Sequence, residues 1–352
     1  MSTSVIDLEP LVRLLKPFKS IHLCRYFLHI LDGGYDFYVL SVSGEYRANY
    51  TFYQPQTASY TSPICLEITE DFIKRLSATK IADAKALGLI EFTDRGVQFP
   101  EDFVELPSYE PEKLLDLFGE DLSKSLGTGC SGSIEPKLIL DVLLKCPVKP
   151  EQIILSQGIL LSVTPDFSRS FCVLSEDAAI ESDLGFGHVL GLSSTVLDKF
   201  DITNTCIYSN GLSFIGSTTL KGSIEPIEVS VESYCLASSV ESGLMPFIRD
   251  SLAAEENELK TFTLEEFDSK LNKVKSLKED SFDMTEVLPH MVSVFKGYKL
   301  PQLEFNSIKS WLTKVKKDSN DSVIFKRVDD VLVIFIGNYL YMSTLYKERD
   351  SG

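Results

Sequence analysis

Hydrophobic residues recur along the chain in a layout that repeats six times: a polar residue, a short amphipathic helix, and strands joined by a tight turn. The first copy begins at Asp7, and apolar residues follow at helical spacing: Leu8, Val12, Leu15 and Phe18. Apolar runs at 21–31 and 35–42 then flank the hairpin signal Asp32-Gly33-Gly34. The pattern predicts an α+β protein built from helix-plus-antiparallel-hairpin half-domains.

The other copies begin near residues 69, 135, 193, 263 and 306. Asn210-Gly211, between two apolar runs, is the clearest hairpin signal in the chain. A spacing of roughly 60 residues is longer than that of common solenoid repeats and indicates paired half-domains. The alternative is an ordinary α+β protein, in which helices are followed by hairpins although the chain contains no structural repeat.

Two segments are predicted to be linkers, the acidic stretch 100–130 and the stretch 238–260. They divide the chain into three predicted domains, 1–130, 131–237 and 238–352. The first domain contains a tyrosine-rich stretch at 44–62 that resembles an insertion, and the last pair of copies is compressed between 263 and 306.

The charge balance limits the classes of partner. Lys and Arg number 34 and Asp and Glu 51, which gives a net charge of −17. This excess of acid argues against a simple basic DNA-binding module and against adhesion to an anionic membrane, although a locally basic channel remains compatible with it. No membrane-spanning run and no secretion signal are evident, so we expect a cytoplasmic protein.

Candidate catalytic motifs are weak. Residues 127–132 match Gly-x-Gly-x-x-Gly, but a polar segment rather than a strand precedes them. Ser77 and Lys80 match Ser-x-x-Lys without its partner motifs. The four histidines and seven scattered cysteines show no metal-ligand spacing. We therefore expect no catalytic residue, no metal and no cofactor; a nucleotide-binding enzyme that uses 127–132 is the minority alternative.

Charge is distributed unevenly between the helices and the rest of the chain. The six predicted helical windows contain more Lys and Arg than Asp and Glu, whereas the remainder is strongly acidic. Basic helices around a channel would attract the phosphates of a duplex, while an acidic exterior would repel them. Lys and Arg are also good helix formers, so the same bias arises on ordinary solvated helix faces.

Three segments, each a strand, a capped helix and a hairpin, resemble the sliding clamp family of DNA polymerase processivity factors: Leu66–Leu76, Leu192–Ser217 and Leu303–Gly337. The resemblance implies half-domains arranged in a ring with helices inside and sheets outside. It also implies a non-enzymatic protein that encircles duplex DNA non-specifically and tethers a DNA polymerase, with a clamp loader as a further partner; phages are among the sources of this family. Six half-domains imply a homodimer ring; four would imply a homotrimer.

The resemblance also assigns candidate sites. The residues expected to face DNA are basic residues of the six helices: Arg13, Lys16, Lys19, Lys74, Arg75, Lys145, Lys199, Lys270, Lys273, Lys309, Lys314, Lys316 and Lys317. Clamps hold their partners through short peptides in a surface pocket, and the residues expected to wall it are Tyr341, Met342 and Leu345. The alternative for these three is a buried final strand. The alternative for the whole chain is an acidic structural or assembly protein, possibly viral, that binds proteins and not DNA.

Overall fold

The computed structural model describes residues 3–20, 23–44, 46–53, 62–118, 126–127, 129–146, 152–156, 158–163, 169–174, 184–187, 202–219, 228–239, 244–253, 261–274, 280–315 and 322–347. Helices are α1 (Leu8–Leu15), α2 (Glu70–Ala78), α3 (Ile81–Leu87), α4 (Pro111–Phe118), α5 (Pro136–Lys145), α6 (Leu244–Ala253), α7 (Leu264–Val274), α8 (Met284–Val287), α9 (Val292–Phe295) and α10 (Gln302–Val315). Segments Lys16–Ser20 and Pro289–Met291 are 3-10 helices.

The first twelve strands are β1 (Thr3–Asp7), β2 (Cys24–Leu31), β3 (Gly34–Ser41), β4 (Tyr46–Tyr53), β5 (Ile64–Ile68), β6 (Leu89–Thr93), β7 (Gly96–Gln98), β8 (Phe103–Glu105), β9 (Gly132–Ser133), β10 (Gln152–Ser156), β11 (Ile159–Val163) and β12 (Arg169–Leu174). The remainder are β13 (Leu184–Gly187), β14 (Ile202–Tyr208), β15 (Gly211–Thr219), β16 (Glu228–Leu236), β17 (Ser238–Ser239), β18 (Thr261–Thr263), β19 (Ser281–Asp283), β20 (Tyr298–Pro301), β21 (Ser322–Val328), β22 (Val331–Ile336), β23 (Tyr339–Thr344) and β24 (Tyr346–Lys347).

These elements form two compact units, one of residues 1–136 and 190–237 and the other of residues 137–189 and 238–352. Unit 1 contains sheet A, with strand order β1-β6-β7-β8, and sheet B, with order β5-β2-β3-β4-β16-β15-β14-β9. Unit 2 contains sheet C, with order β17-β13-β10-β11-β12-β23-β22-β21-β18, and sheet D, with order β19-β20-β24. Every pairing between these strands is antiparallel.

The first two predicted half-domains are present, and they exchange strands; the helix predicted near residue 193 lies outside the described residues. In the first, β1 leads into α1 and then into β2, β3 and β4; in the second, β5 leads into α2 and then into β6, β7 and β8. β1 joins the sheet of the second half-domain, and β5 joins the sheet of the first. Each helix therefore follows a strand of one sheet and precedes strands of the other, so the two halves fold around one core.

Aromatic residues fill much of the core of unit 1. Phe18 meets the rings of Tyr26, Phe37 and Tyr50 edge-on, with centroids 6.1, 5.2 and 5.3 Å away. All four residues are almost fully buried. Edge-to-face contacts of this kind add to the stabilisation from burial alone. The hydrophobic positions read from the sequence at the start of the first helix, Leu8, Val12 and Leu15, belong to the same cluster.

The hairpin predictions are confirmed. Gly33, in the turn between β2 and β3, has φ +84°, and a Cβ on Gly34 would approach the Phe52 carbonyl oxygen within 2.0 Å, so both positions favour glycine. Val328 pairs with Val331 across the Asp329-Asp330 turn, and Asp329 adopts φ +50°. Asn210 lies in the turn between β14 and β15.

Some elements differ from their predictions. The helix predicted to begin near residue 69 ends at Ala78, and a second helix, α3, begins at Ile81, because Thr79 between them is extended (φ −65°, ψ 129°). The apparent insertion at 44–62 includes β4, a central strand of sheet B. The fifth half-domain, compressed in the sequence, continues after α7 with β19 and then with α8, a 3-10 turn and α9 in place of further strands.

Both predicted linkers contain a helix that packs on a sheet. In unit 1, Leu114 and Phe118 of α4 cluster with Phe27 and Tyr38 of sheet B. In unit 2, Met245 and Ile248 of α6 cluster with sheet C residues, including Leu161, Leu340 and Met342. No helix in the described ranges combines the length and the apolar character needed to cross a membrane.

Candidate nucleic-acid interface

The first group of candidate residues lies on α1 and the 3-10 turn that follows it. Asp7 begins the helix, and its Oδ1 accepts a hydrogen bond from the Glu9 N–H at 3.1 Å. Arg13 Nε donates to Glu9 Oε1 at 2.9 Å, so its charge is already paired. Lys16 is half-buried and Lys19 is exposed. The two lysines beyond the helix end are therefore better placed to meet an external phosphate than Arg13.

Glu9 of α1 offsets part of the positive charge of the basic residues around it, because its carboxylate pairs with two of them. Its residue is only 2% exposed, and Lys85 of α3 lies 3.6 Å from the same Oε1 that Arg13 contacts. A buried carboxylate requires such partners, because desolvating it unpaired would be costly. Arg13 and Lys85 therefore both form ion pairs with Glu9 inside unit 1.

The candidates on α2 are exposed but also paired. Lys74 Nζ lies 3.6 Å from Glu70 and 3.5 Å from Asp71. Arg75 donates to both carboxylate oxygens of Asp102, at 2.9 and 2.8 Å. Its guanidinium lies 4.3 Å from the centroid of the Phe99 ring. The hydrogen bonds from Arg75 lower the pKa of Asp102.

Lys145, on α5, points into unit 2. It is 7% exposed, its Nζ lies 3.2 Å from Asp141, and it donates a hydrogen bond to the Tyr339 hydroxyl. Burial raises the pKa of Tyr339, and the hydrogen bond from Lys145 acts in the opposite direction. Lys314 of α10 donates to the Cys146 carbonyl oxygen at 2.7 Å. Both lysines fasten α5 to neighbouring elements of the same unit.

The remaining candidates are less fully described. Lys309 is half-buried on α10. Lys270 and Lys273 lie on α7, but their side chains are outside the described part of the structure, as are residues Lys199, Lys316 and Lys317 altogether. Two exposed lysines that the sequence analysis did not select, Lys80 and Lys137, lie at the starts of α3 and α5. Both lysines lie in predicted helical regions, so the sequence pattern that selected the other basic residues could also have selected these two.

The three residues expected to wall a peptide pocket are buried. Tyr341 is fully buried and stacks on Trp311 of α10, with ring centroids 5.2 Å apart. Met342 and Leu345 are each 3% exposed. Alternation along β23 directs Tyr341 toward α10 and Met342 into the cluster with α6 on the other face of sheet C. Partly buried residues border that cluster: Val328, Val331 and Phe335.

The other motifs singled out in the sequence have structural roles. Gly132 pairs with Ile207 in the antiparallel β9–β14 ladder, so residues 127–132 do not join a parallel strand to a helix. Ser77 is buried, and its hydroxyl donates to the Leu15 carbonyl oxygen at 3.3 Å. Among the described residues, no group of three or more His, Cys, Asp or Glu side chains converges on a point.

The fold that these elements form is that of the DNA sliding clamps, over nearly the whole length of the chain. No protein-family model and no curated protein sequence matches it.

Bacterial clamps are among the solved structures similar to the chain. They include the DNA polymerase III beta chain of Streptococcus pneumoniae, with 11% identity and a TM-score of 0.58. The DNA polymerase III beta subunit of Thermotoga maritima has 13% identity and a TM-score of 0.58. The DNA polymerase sliding clamp of Bacillus subtilis has 9% identity and a TM-score of 0.60. Each match covers 99% of this chain and 100% of the other.

Proposed function

We propose that this protein is a DNA polymerase processivity factor that encircles duplex DNA and tethers a polymerase and other replication proteins. The observation that carries the proposal is the clamp fold over 99% of the chain, matched to the full length of bacterial clamps. A fold that many functions share would be weak support. This fold supports the proposal more strongly because the similar structures named above are all DNA polymerase III beta subunits or sliding clamps.

The placement of cations supports loose, non-specific contact with DNA. Lys16, Lys19, Lys80 and Lys137 lie in or next to described helices, are exposed or half-buried, and have no carboxylate partner among the contacts given above. Lys145 and Lys314 instead act inside unit 2, and Arg13, Lys74 and Arg75 have carboxylate partners. We infer that the first four lysines dominate attraction to phosphates, while the paired cations contribute after their carboxylates rearrange.

We propose that partner proteins, a polymerase and a clamp loader among them, dock a short peptide beside α6, on the face of sheet C against which α6 packs. The partly buried Val328, Val331 and Phe335 offer apolar surface there, and Met342 lies beneath them as part of the floor. Tyr341 and Leu345 are buried and would support the pocket from behind. The protein would have no catalytic activity and no cofactor of its own.

Six half-domains per chain favour a homodimer ring, with a homotrimer as the alternative. The ring would work in the cytoplasm, or in the host cytoplasm if the protein is viral. The competing function, an acidic assembly protein that never binds DNA, draws support from the number of candidate cations that are already paired within the chain.

Topology distinguishes encirclement from ordinary binding. The purified chain is incubated with nicked circular DNA on beads, the beads are washed in high salt, and half of the sample is then linearised. Retention on circles with loss after linearisation is expected, because a ring slides off an open end. Equal loss from both DNA forms would favour the assembly protein.

A further inference from the structure

Two cysteines that are distant in the sequence meet at the edge of sheet B. β9 is the last strand of that sheet and pairs with β14, where Ser133 lies opposite Cys206. Cys130, two residues before β9, turns its thiol toward the strand and donates a hydrogen bond to the Gly132 carbonyl oxygen at 2.9 Å. In this position the Cys130 thiol is in hydrogen-bonding contact with the Cys206 thiol.

Access to solvent separates this pair from the other cysteines whose side chains are described. Cys130 is exposed and Cys206 is half-buried, whereas the other four are buried: Cys24, Cys65, Cys146 and Cys235. A cysteine reacts as a thiolate that a reagent can reach, so thiols buried in apolar surroundings are inert. Cys130 and Cys206 are therefore the reactive pair in the described part of the chain.

The segment that carries Cys130 is held against β14 mainly by backbone hydrogen bonds. Ser131 N–H donates to the Ile207 carbonyl oxygen at 2.8 Å. Ile134 N–H donates to the Thr205 carbonyl oxygen at 3.2 Å. β9 has only two residues, and no described strand of sheet B lies beyond it. Such a short edge strand opens easily, because few bonds must break at once, and a covalent bond to β14 would oppose that opening.

We propose that Cys130 and Cys206 form a reversible disulfide bond, which fastens β9 to β14 when a small-molecule disulfide oxidises the protein. Disulfides in reducing compartments are usually transient and often sense the redox state. The chain passes from unit 1 to unit 2 just after β9, between Pro136 and Lys137. The bond therefore restrains the last strand of unit 1 before that crossing, whether or not the protein holds DNA.

Two thiol–disulfide exchanges complete the reaction. The thiolate of Cys130 attacks one sulfur of the small-molecule disulfide, so that an S–S bond to Cys130 forms, the original S–S bond breaks and one small thiol leaves. Cys206 then loses its proton to water and attacks Cys130 Sγ, which releases the second small thiol. The two protein thiols lose two electrons, the oxidant gains them, and each departing thiolate takes up a proton from water.

The order of the two steps follows from the surroundings of the two thiols. Burial is the main cause that raises the pKa of Cys206, and the neighbouring Cys130 thiol adds to it, whereas hydrogen bonds with Ser213 and Asn204 act in the opposite direction. Cys206 is therefore a thiol at neutral pH, and the exposed Cys130 reacts first. Once Cys130 carries the mixed disulfide, Cys206 lies beside its target sulfur, and this proximity offsets its low thiolate fraction.

Oxidised glutathione is the probe for the bond. The folded, reduced chain is incubated with it, quenched in acid, alkylated and digested, and mass spectrometry identifies the linked peptides. We expect a link between Cys130 and Cys206 as the main product, and no such link in Cys130→Ser or Cys206→Ser. The matched control Cys235→Ala removes a buried thiol of β16 and should leave the yield unchanged.

Two results of this mapping would overturn the proposal. One is a glutathione adduct that stays on Cys130 while Cys206 remains a free thiol. The other is a link from either residue to Cys172, whose side chain lies outside the described part of the structure.

Hydrogen exchange tests whether the bond fastens β9. In the oxidised protein, the N–H groups of Ser131 and Ile134 should exchange at least tenfold more slowly than in the reduced protein, and dithiothreitol should restore the faster rate. The same treatment of Cys130→Ser should leave both rates unchanged, which controls for effects of the oxidant elsewhere. Equal rates in the oxidised and reduced forms of the unaltered chain would show that the bond does not restrain β9.

Discussion

His29 lies on β2 and is 6% exposed, with Asp36 and Glu112 as its charged neighbours. Burial is the main cause that lowers the pKa of its imidazole below 6.5, and the two carboxylates act against it. The folded protein therefore holds this histidine neutral at pH values where the unfolded chain already binds a proton. Stability due to His29 is present above pH 6.5 and is lost as the pH falls toward the folded pKa.

We expect His29→Gln to flatten the dependence of unfolding free energy on pH in the interval just below pH 6.5. Urea unfolding of both proteins across that interval measures the difference between them. All other ionisable groups are common to the two proteins, so the comparison isolates the effect of replacing His29. Parallel curves for the two proteins would show that His29 is protonated equally in the folded and unfolded states.

Tyr341 and Trp311 form the clearest packing contact of unit 2, and the chain contains no other tryptophan. We expect Tyr341→Ala to lower the unfolding free energy by about 3–5 kcal/mol, because a fully buried aromatic ring leaves a cavity. Trp311 fluorescence should shift to longer wavelength as water reaches the indole. Tyr341→Phe keeps the ring and should change the stability of the protein far less.

Among the elements, α4 packs on sheet B although the acidic composition of its segment does not predict a packed helix. It lies in an acidic segment that the sequence analysis treats as a linker, yet Leu114 is fully buried against sheet B. Arg47 of β4 donates to the Leu117 carbonyl oxygen at 2.8 Å, which fastens the end of the helix to the sheet. We infer that α4 shields the apolar face formed by Phe27 and Tyr38.

Two adjacent leucines of α4 test this role. Leu114→Ala should cost about 2–5 kcal/mol, because it removes buried methyl groups and leaves a cavity. Leu115→Ala, at a position 51% exposed, should change the stability by less than about 0.5 kcal/mol. Thermal unfolding measures both variants, and hydrogen exchange should show β2 and β3 opening faster in the first variant only. Similar costs for the two changes would show that α4 does not pack as described.

At the scale of the whole molecule, net charge and local charge would act in opposite directions on the proposed binding of DNA. The chain carries −17 overall, so attraction to a duplex would depend on a few lysines at the surface. Replacing Lys16 and Lys19 with alanine should reduce the magnitude of the slope of log affinity against log salt by up to about two. Lys347→Ala, at an exposed strand residue, is the control and should leave the slope unchanged.

Fluorescence anisotropy with a labelled duplex at several salt concentrations gives these slopes. Lys145→Ala is expected to behave differently from the Lys16 and Lys19 changes, because Lys145 is buried beside Asp141 and Tyr339. Its loss should lower stability and not the salt slope. A salt slope that falls with Lys145→Ala but not with Lys16 and Lys19 would reverse our assignment of the cations.

The amino-acid sequence alone determined the helix-and-hairpin half-domains, the positions of the turns and the overall acidity. These features depend on local periodicity, on turn residues such as Asn210-Gly211, and on composition, all of which act between near neighbours in the chain. It also predicted helix caps such as Thr69, whose hydroxyl accepts a hydrogen bond from Phe72 N–H at 3.2 Å.

Only the tertiary structure decided which charged and aromatic side chains are available at the surface. Lys145 and Lys19 look alike in a helical pattern, but Asp141 and Tyr339, the second from nearly two hundred residues away in sequence, hold the first inside the protein. Likewise, the exchange of β1 and β5 and the short edges β8 and β19 arise from pairings between distant segments. Long-range contacts of this kind leave no periodic signal along the chain, because burial and pairing depend on what the fold brings alongside each residue.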